Sequence, residues 1–249
     1  MMDIDLNLAL TSAKKIAVDA GNHLLKYKDT LNEQFFSTDK DIKLKADLMA
    51  EKRILKSLST FSSIPILSEE AGASDNLSDT YWVVDPLDGT ANYSRNIPIS
   101  AVSIALMSNL IPILGVIYDF HNNELYEGSI NSKACLNEEE ISVSDTQKPS
   151  DGILITGLPN NTDFSDDALI KMVKNFQTWR KIRMIGSASM ASAYVASGKA
   201  DMYMEHKTYI WDVAAGAAIV NAAGGEALIS NYNDKFQVDA YFSNSIIKV

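Results

Sequence analysis

Cysteine is almost absent from the sequence, since Cys135 is the only one among 249 residues. A single cysteine cannot form an internal disulfide, and the three isolated histidines offer no zinc-binding spacing beside it. No apolar run approaches the length of a membrane span, and residues 1–5 lack the basic and apolar segments of a signal peptide. We therefore expect a cytoplasmic protein that has no membrane partner.

Positive charge is also scarce, because 22 Lys and Arg residues face 32 Asp and Glu residues, which gives a formal net charge of -10. Nucleic-acid backbones are bound by basic surfaces, so this balance argues against a nucleic-acid polymer as a partner. It does not exclude a phosphate substrate, because bound divalent cations reverse the local charge. A Gly-x-Ser-x-Gly nucleophile elbow and a Gly-Lys-Ser/Thr phosphate loop are both missing, and Cys135 lacks a histidine partner for nucleophilic catalysis.

What is present has the composition of a globular protein, with 46% hydrophobic and 22% charged residues. Apolar periodicity predicts an amphipathic helix over about residues 5–27 and a second one over about 41–59. The apolar side of the second helix is predicted to consist of Leu44, Leu48, Leu55 and Leu58. Residues 99–130 are rich in β-branched and aromatic side chains, which predicts an antiparallel meander.

The C-terminal part alternates between short apolar strands and helices, which indicates an α/β layer. The predicted strands lie at 153–156, 183–185, 202–204 and 226–229, and the predicted helices at about 165–179, 187–197 and 211–222. The polar stretch 137–151 marks the expected boundary between two lobes. We therefore predict a mixed α and β protein with an N-terminal α+β lobe over 1–145 and a C-terminal α/β lobe over 146–249.

The most informative stretch is 82–93, which begins as a buried strand and then changes character. Asp85 ends the apolar run, and the following proline cannot donate to a β-ladder, so the strand is predicted to stop there. Gly89 suits a tight turn and Thr90 suits an N-cap. Asp85 and Asp88 would thus lie at a strand-to-helix corner, beside free backbone N–H groups at Gly89, Thr90 and Ala91. Such a corner can hold a hard cation next to an anion, although a simple surface turn is the alternative interpretation.

Four other acidic residues lie within or next to predicted elements. Asp47 and Glu51 share one face of the second helix. Glu69 follows the short strand 64–67, and two neighbouring strands that end on the same side would bring it to Asp85. Asp212 lies in the first turn of a helix, where a negative charge is favoured by the helix dipole. Taken singly, these acids could instead form a solvated helix face, a solvated loop and a helix cap.

Three motifs in order resemble the signatures of the inositol monophosphatase family, which are lithium-sensitive, magnesium-dependent phosphatases. They are Ile66-Leu67-Ser68-Glu69-Glu70, the run from Asp85 to Tyr93 that reads DPLDGTANY, and Trp211-Asp212-Val213-Ala214-Ala215-Gly216. The resemblance spans nearly the whole chain. It implies a layered α-β-α-β-α sugar-phosphatase fold, with most metal ligands in the N-terminal lobe and Asp212 in the C-terminal lobe.

The resemblance also implies roles for individual residues. The expected metal ligands are Glu69, Asp85, the Leu87 carbonyl, Asp88 and Asp212, which would hold two or three Mg²⁺ ions, with Mn²⁺ as another ion that suits oxygen ligands. Asp47 and Thr90 would orient the attacking water, with Glu69 close by. The expected substrate contacts are Gly89, Thr90, Ala91, Ser187, Ala188, Glu205 and Asp212.

Two positions depart from the family pattern. Leu44 stands where the family usually has a threonine, and Ala91 stands where it often has a hydroxyl residue. Glu205 matches a family position that contacts the hydroxyl groups of the substrate, although a solvated side chain paired with Lys207 is the alternative.

The predicted activity is Mg²⁺-dependent hydrolysis of a small phosphate monoester, most like that of inositol monophosphatase. A 3′(2′),5′-bisphosphate nucleotidase, a fructose-1,6-bisphosphatase or a histidinol-phosphatase of the same family are alternatives, and so is a catalytically silent binding relative. The expected partner is a small phosphorylated polyol or sugar. Because dimers are common in the family, the resemblance also suggests a homodimer.

Overall fold

A computed structural model describes residues 4–37, 42–75, 77–158 and 162–248. Its helices are α1 Leu6–Lys26, α2 Lys28–Leu31, α3 Lys45–Phe61, α4 Thr90–Ser94, α5 Asp166–Phe176, α6 Ala188–Ala196 and α7 Ile210–Ala222. The strands are β1 Gln34–Ser37, β2 Ile42–Leu44, β3 Ile66–Ser68, β4 Gly72–Ala73, β5 Thr80–Asp88, β6 Ala101–Ser108, β7 Ile111–Asp119, β8 Glu124–Ser129, β9 Ser132–Leu136, β10 Glu139–Glu140, β11 Ile153–Thr156, β12 Lys181–Arg183, β13 Met202–Tyr209, β14 Glu226–Ser230 and β15 Gln237–Ser243.

Two large sheets organise the chain, besides the small pair β1–β2. The first has eight strands in the order β10-β9-β8-β7-β6-β5-β3-β4, and the second has five in the order β12-β11-β13-β15-β14. Strands β5 to β10 pair antiparallel in succession, which confirms the predicted meander. Strand β3 runs parallel to β5, with Ser68 opposite Val84, so both strands end at the same edge of the sheet.

The helices and sheets alternate in layers. Helices α1 and α3 pack on one face of the eight-stranded sheet, and α7 packs on its other face. Helix α7 also contacts β13, β14 and β15 of the five-stranded sheet, with α6 beside it, so these two helices form a layer between the sheets. Helix α5 lies outside the second sheet and lines a cavity of about 500 Å³ together with residues of β13 and β15. The predicted layered α-β-α-β-α architecture is therefore confirmed.

Helix α7 can lie between two sheets because small residues allow a close approach. A Cβ atom added to Gly115 of β7 would lie only 2.1 Å from the carbonyl oxygen of Ala215. On the other side of α7, a Cβ atom on Gly216 would lie 2.2 Å from the Cβ of Ser192 in α6. Missing side chains at these two positions thus set the distance between the first sheet, α7 and α6.

The second predicted helix starts later than expected. Residues 42–44 form β2 instead, and α3 begins at Lys45. Leu44 is buried, but Leu48 is 44% exposed, so the prediction that it lies on the apolar side was wrong. The buried side of α3 consists of Ala46, Asp47, Ala50, Glu51, Ile54 and Leu58. Two acids occupy buried positions there, which hid the true helix face from an analysis of apolar periodicity. The predicted start at 41 lies outside the described residues.

Strand β5 does not end at Asp85 as predicted, but continues through Pro86 to Asp88. Its pairing with β6 is irregular between Asp85 and Asp88, and at such a bulge a proline removes no ladder hydrogen bond. Strand β13 continues to Tyr209 beyond the predicted 202–204, and β15 was not predicted. The strand predicted at 183–185 lies at Lys181–Arg183.

The division into lobes at 145/146 stays a prediction. The short strand β10 lies in the polar stretch where the boundary was expected, and α7 belongs by sequence to the second lobe while packing on both sheets. Within the described ranges, no helix is long and apolar enough to cross a membrane.

Candidate active site

The corner after β5 is built by one glycine. Gly89 has φ 85°, a left-handed conformation, and a Cβ atom there would lie 2.8 Å from the carbonyl oxygen of Ile99. The chain then enters the short helix α4, whose N-cap is Gly89 and whose first residue is Thr90. Thr90 is therefore not the N-cap that the sequence predicted. Its hydroxyl is free of that capping role and bonds elsewhere in the site.

Asp85 and Asp88 are both buried at this corner. The Asp85 side chain is 1% exposed and accepts a hydrogen bond of 3.0 Å from the backbone N–H of Leu87. Asp88 Oδ2 accepts hydrogen bonds from the hydroxyl of Ser187 and from the backbone N–H of Ser189, at 2.8 Å for the latter. Asp88 thus ties the end of β5 to the start of α6.

Asp212 enters the site from the start of α7. Its Oδ2 accepts hydrogen bonds from the Thr208 hydroxyl at 2.7 Å and from the backbone N–H of Tyr209 at 2.9 Å. The Ser189 hydroxyl donates to the backbone carbonyl of Asp212 at 3.1 Å. Asp212 is therefore a helix cap, as the alternative interpretation held, and it is also placed beside the helix that holds Asp88.

Glu69 completes the group because β3 lies next to β5. Its backbone N–H donates to the carbonyl of Val84 at 3.2 Å, and its side chain is half-buried. The parallel pairing of the two strands brings the ends of both together, as the sequence predicted. Glu69, Asp85, Asp88 and Asp212 thus come together from three separate segments, the end of β3, strand β5 and the start of α7.

These carboxylates perturb one another. Burial raises the pKa of Asp85 well above its ordinary value, and the charges of Glu69, Asp88 and Asp212 raise it further. Burial and then the charge of Asp88 raise the pKa of Asp212 to about 7. The pKa of Asp88 is also raised by burial, against the opposing effect of its bonds to Ser187 and Ser189. Full ionisation of this group therefore requires a cation close by.

The donor set suits a hard divalent cation, because every available ligand atom is an oxygen. The side chains do not form a closed metal cluster as they stand. In the part of the chain that the structure describes, no group of three or more His, Cys, Asp or Glu side chains has that arrangement. Asp88 and Asp212 direct an oxygen towards protein donors instead. The chemistry of the set fits Mg²⁺.

Asp47 and Thr90 form a hydrogen-bonded pair next to this group. The Thr90 hydroxyl lies 2.8 Å from Asp47 Oδ1 and 3.0 Å from the carbonyl oxygen of Leu87. Asp47 is 2% exposed, and burial raises its pKa to about 6, although hydrogen bonds from Leu44 and Thr90 favour the ionised form. The backbone N–H of Leu44 donates to Asp47 Oδ2 at 2.7 Å. A leucine at this position therefore still fixes the aspartate, through its backbone.

A cavity of about 250 Å³ adjoins the carboxylates. Its wall includes the predicted site residues Asp88, Ser187, Ala188, Glu205 and Asp212. Among the predicted substrate contacts, Gly89, Thr90 and Ala91 do not line this cavity, and Ala91 is exposed on α4.

Glu205 lies within β13 and not after a strand as predicted. It accepts a hydrogen bond of 3.0 Å from the Tyr203 hydroxyl. Burial, followed by the charge of Asp212, raises the pKa of Glu205 to about 8. Glu205 therefore belongs to the cavity wall, where its protonation depends on the charges of Asp212 and Asp88.

Comparisons with known proteins show the family to which the chain belongs. The sequence profile of the Inositol monophosphatase family matches residues 3–241. The chain belongs to this family. The protein named "Nus factor SuhB" from Xylella fastidiosa is 40% identical over 215 residues, covering 85% of this chain and 78% of that protein. The "Inositol-1-monophosphatase" of Synechocystis is 34% identical over 202 residues, covering 78% of this chain and 68% of that protein.

A solved structure of the family superposes over almost the entire chain. The inositol monophosphatase from Anabaena (Nostoc) has a TM-score of 0.83 and 30% identity, and the match covers 98% of this chain and 93% of that one. Members of the inositol monophosphatase family are phosphoric monoester hydrolases that need metal ions. This chain is accordingly a phosphatase.

Several residues that shape the site were missed in the sequence. Thr208 and Ser189 fix Asp212, and Tyr203 and Gly157 contact Glu205. The side-chain amide of Asn92 donates to the carbonyls of Ile99 and Ile185, which joins the two halves of the site. Asn92 lies inside the motif that runs from Asp85 to Tyr93, so the motif could have indicated that it belongs to the site. The others lie in short polar stretches with no distinctive pattern.

Proposed function

We propose that this phosphatase hydrolyses a small polyol or sugar monophosphate in a Mg²⁺-dependent reaction. The observation that carries the proposal is the group of buried carboxylates Asp85, Asp88 and Asp212, which raise one another's pKa beside the Thr90–Asp47 pair. Burying several carboxylates together is unfavourable unless cations offset their charge, so this group supports a cation site. The adjoining cavity provides room for a small substrate.

The residues that would hold the metal are Glu69, Asp85, the Leu87 carbonyl, Asp88 and Asp212. Two or three ions are expected, since one ion cannot offset four carboxylates and a phosphate. When bound, Mg²⁺ neutralises these groups, polarises the phosphoryl oxygens and lowers the pKa of water. The protein's part is to present oxygen ligands and to position the reactants.

Thr90 and Asp47 would position the attacking water. If the Thr90 hydroxyl donates its proton to Asp47, then the lone pairs of its oxygen accept a hydrogen bond from the water. Asp47 performs this role as a carboxylate, and its two oxygens are already aligned by Leu44 and Thr90. The arrangement holds the water in one orientation for attack on phosphorus, which is the main contribution a protein makes to phosphoryl transfer.

The backbone N–H groups of Gly89, Thr90 and Ala91 are the proposed donors to the phosphate oxygens, with no side-chain hydroxyl at Ala91 to assist. The alcohol portion of the ester would extend into the cavity past Ser187, Ala188 and Glu205. Carboxyl groups bind vicinal hydroxyls well, whereas a second phosphate at the same place would be repelled by Glu205 and Asp212. We therefore favour a polyol monophosphate over a bisphosphorylated nucleotide or sugar.

A second candidate function is a binding role without catalysis. The most similar relative described above is named a Nus factor and not a phosphatase. Departures at Leu44 and Ala91 raise the same question, but the Thr90–Asp47 pair argues for catalysis because binding alone needs no group to orient water.

A phosphate-release assay tests the proposal. The purified chain would be incubated with and without Mg²⁺ against inositol 1-phosphate, adenosine 3′,5′-bisphosphate, fructose 1,6-bisphosphate and histidinol phosphate. We expect Mg²⁺-dependent turnover that is highest for the polyol monophosphate. Turnover highest for a bisphosphate would overturn the substrate class, and no turnover on any compound would favour the binding role.

We also propose that the protein works in the cytoplasm as a homodimer. Helix α5 supports self-association, because none of its residues is buried and Ile170 and Val173 are both about half exposed. Light scattering coupled to size-exclusion chromatography would give the mass in solution, and a mass equal to one chain would contradict the dimer.

A further inference from the structure

The carboxyl group of Glu205 is restricted by contacts on two sides. The Tyr203 hydroxyl, on the same face of β13, donates to Oε2 at 3.0 Å. Gly157, which directly follows the neighbouring strand β11, lies against the same oxygen. A Cβ atom on Gly157 would lie 2.3 Å from Oε2, 2.6 Å from Cδ and 2.8 Å from Oε1 of Glu205, so Oε2 is the nearer of the two oxygens. Only glycine at position 157 therefore leaves room for the carboxyl group in this place.

Both neighbours are themselves held firmly. Tyr203 is buried, and its ring packs edge-on against Phe242 with 5.7 Å between the ring centroids. Strands β11 and β13 pair in parallel, and the Thr156 hydroxyl donates to the carbonyl of Met204 at 2.6 Å. The Tyr203 hydroxyl and the backbone of Gly157 thus have fixed positions relative to Glu205.

The backbone of β13 changes direction just after Glu205. Its pairing with β15 is irregular between Glu205 and Thr208, and Lys207 has φ 56°. A bulge of this kind re-aims the side chains on either side of it. As a result, Thr208 bonds to Asp212 while Glu205 lines the cavity, so one short segment serves the metal site and the substrate side.

We propose that Gly157 and Tyr203 are positioning residues that determine substrate selectivity by fixing Glu205. They hold Oε2 on the protein side and leave Oε1 for a hydroxyl of a polyol monophosphate. The proposal rests on the proposed function, since it assumes that the alcohol portion of the substrate occupies this cavity. It adds that selectivity depends on a missing side chain at 157 and on a phenolic hydroxyl at 203, neither of which touches the phosphate.

The test uses Gly157→Ala and Tyr203→Phe in the full chain with Mg²⁺. Inositol 1-phosphate and p-nitrophenyl phosphate are compared, because the aryl ester has no hydroxyl for Glu205. We expect KM for inositol 1-phosphate to rise at least about tenfold in Gly157→Ala, on the scale of one lost hydrogen bond to a charged group. Both constants for p-nitrophenyl phosphate should stay near those of the wild type. Tyr203→Phe should have a smaller effect in the same direction.

Two controls separate positioning from a general structural effect. Tyr232→Phe removes a buried hydroxyl that has no hydrogen-bond partner among the residues that the structure describes, so it should leave KM for both substrates unchanged. In a Glu205→Ala background, Gly157→Ala should cause no further rise in KM, because the group that it displaces is gone. An effect of Gly157→Ala that persists in that background, or that is equal for both substrates, would overturn the proposal.

A crystal structure of Gly157→Ala gives a readout that does not need activity. The proposal requires the Glu205 carboxyl group to leave its contact with Tyr203, and an unmoved Glu205 would refute it. A wild-type protein that hydrolyses neither substrate would instead count against the proposed function, while the crystal structure would still decide whether Gly157 positions Glu205.

Discussion

Asp88 joins the two parts of the chain that build the site, because it lies at the end of β5 and accepts hydrogen bonds from residues at the start of α6. The same carboxyl group raises the pKa of Asp85 and Asp212 by its charge. It therefore has two separable effects. Its shape and acceptor atoms connect the segments, and in the proposed function its charge binds a cation.

Replacing Asp88 by asparagine separates these effects. Asp88→Asn keeps the size of the side chain and one acceptor oxygen but removes the charge. We expect Mg²⁺-dependent turnover to fall by at least about a hundredfold, on the scale of losing a key electrostatic group in a site. The fold should persist, with a melting temperature in chelator at or above that of the wild type, because repulsion among the carboxylates is reduced. Turnover close to wild type would show that Asp88 holds no catalytic metal.

The hydroxyl of Thr90 provides a second test at the same scale. Thr90→Ala removes the group that links Asp47 to the proposed water, so kcat should fall while the Mg²⁺ concentration for half-maximal rate stays similar. Thr90→Ser keeps the hydroxyl and should recover much of the rate. Steady-state kinetics across a Mg²⁺ titration would measure both quantities, and equal rates for the alanine and serine variants would exclude a role for the hydroxyl.

At the scale of elements, the sequence was informative where apolar runs and motifs coincide. The strand 82–84, the meander and helices α1 and α7 were all predicted, because their burial depends on local patterns of apolar residues. The buried face of α3 was not predicted, since it carries Asp47 and Glu51, which are tolerated through hydrogen bonds from other segments. Glu51 Oε1, for example, accepts from Ser68 and from the backbone N–H of Ala71. Such partners cannot be recognised before the fold is known.

The residues of the candidate site can also be divided into those that the sequence predicted and those that it did not. The carboxylates of the motifs were found because the strand and helix ends that carry them have local signals. The residues that orient them, such as Thr208 and Tyr203, act across a bulge and a neighbouring strand. Pro86 misled the prediction of β5 for a related reason, because the irregular pairing that accommodates it depends on β6.

Gly115 tests how closely the elements pack. In Gly115→Ala the new methyl group would collide with the backbone of Ala215, which cannot move without shifting α7. We expect a loss of about 1–3 kcal/mol or more in the free energy of unfolding, the usual cost of overpacking. Urea denaturation followed by circular dichroism would measure it.

Gly72→Ala is a matched control for this variant. Nothing lies within 4 Å of its added Cβ, so the cost there is only that of its left-handed backbone, φ 75°. That cost is about 1–2 kcal/mol. A smaller loss for Gly115→Ala than for Gly72→Ala would mean that α7 and β7 are not in close contact.

At the scale of the whole molecule, the fold gathers acids in an already acidic chain. The net charge is -10, and the layers place acids from both sheets and from α3 around one site. Like charges in this site repel one another. Because helix α7 packs on both sheets, moving the acids apart would disturb the core that the two sheets share. Repulsion among these carboxylates therefore persists in the folded chain, and it should affect the free energy of unfolding of the whole protein.

The pH dependence of stability tests this conclusion. The pKa of Asp47 is raised to about 6, that of Asp212 to about 7 and that of Glu205 to about 8, from ordinary values of 3.8, 3.8 and 4.5. Between the ordinary and the raised values the folded chain binds more protons than the unfolded chain, so the free energy of unfolding must decrease as pH rises. In chelator we expect the melting temperature to fall from about pH 4 to about pH 8.

Two further measurements identify the groups responsible. Glu205→Gln should flatten the upper part of this decline, because the group with the highest of these raised pKa values no longer titrates. Saturating Mg²⁺ should reverse the trend, since a cation favours the ionised carboxylates and binds more tightly as protons leave. Differential scanning calorimetry at fixed ionic strength would record all three profiles. A melting temperature in chelator that rises through this range would show that the carboxylates are not buried together, and the cation requirement inferred from their burial would fail with it.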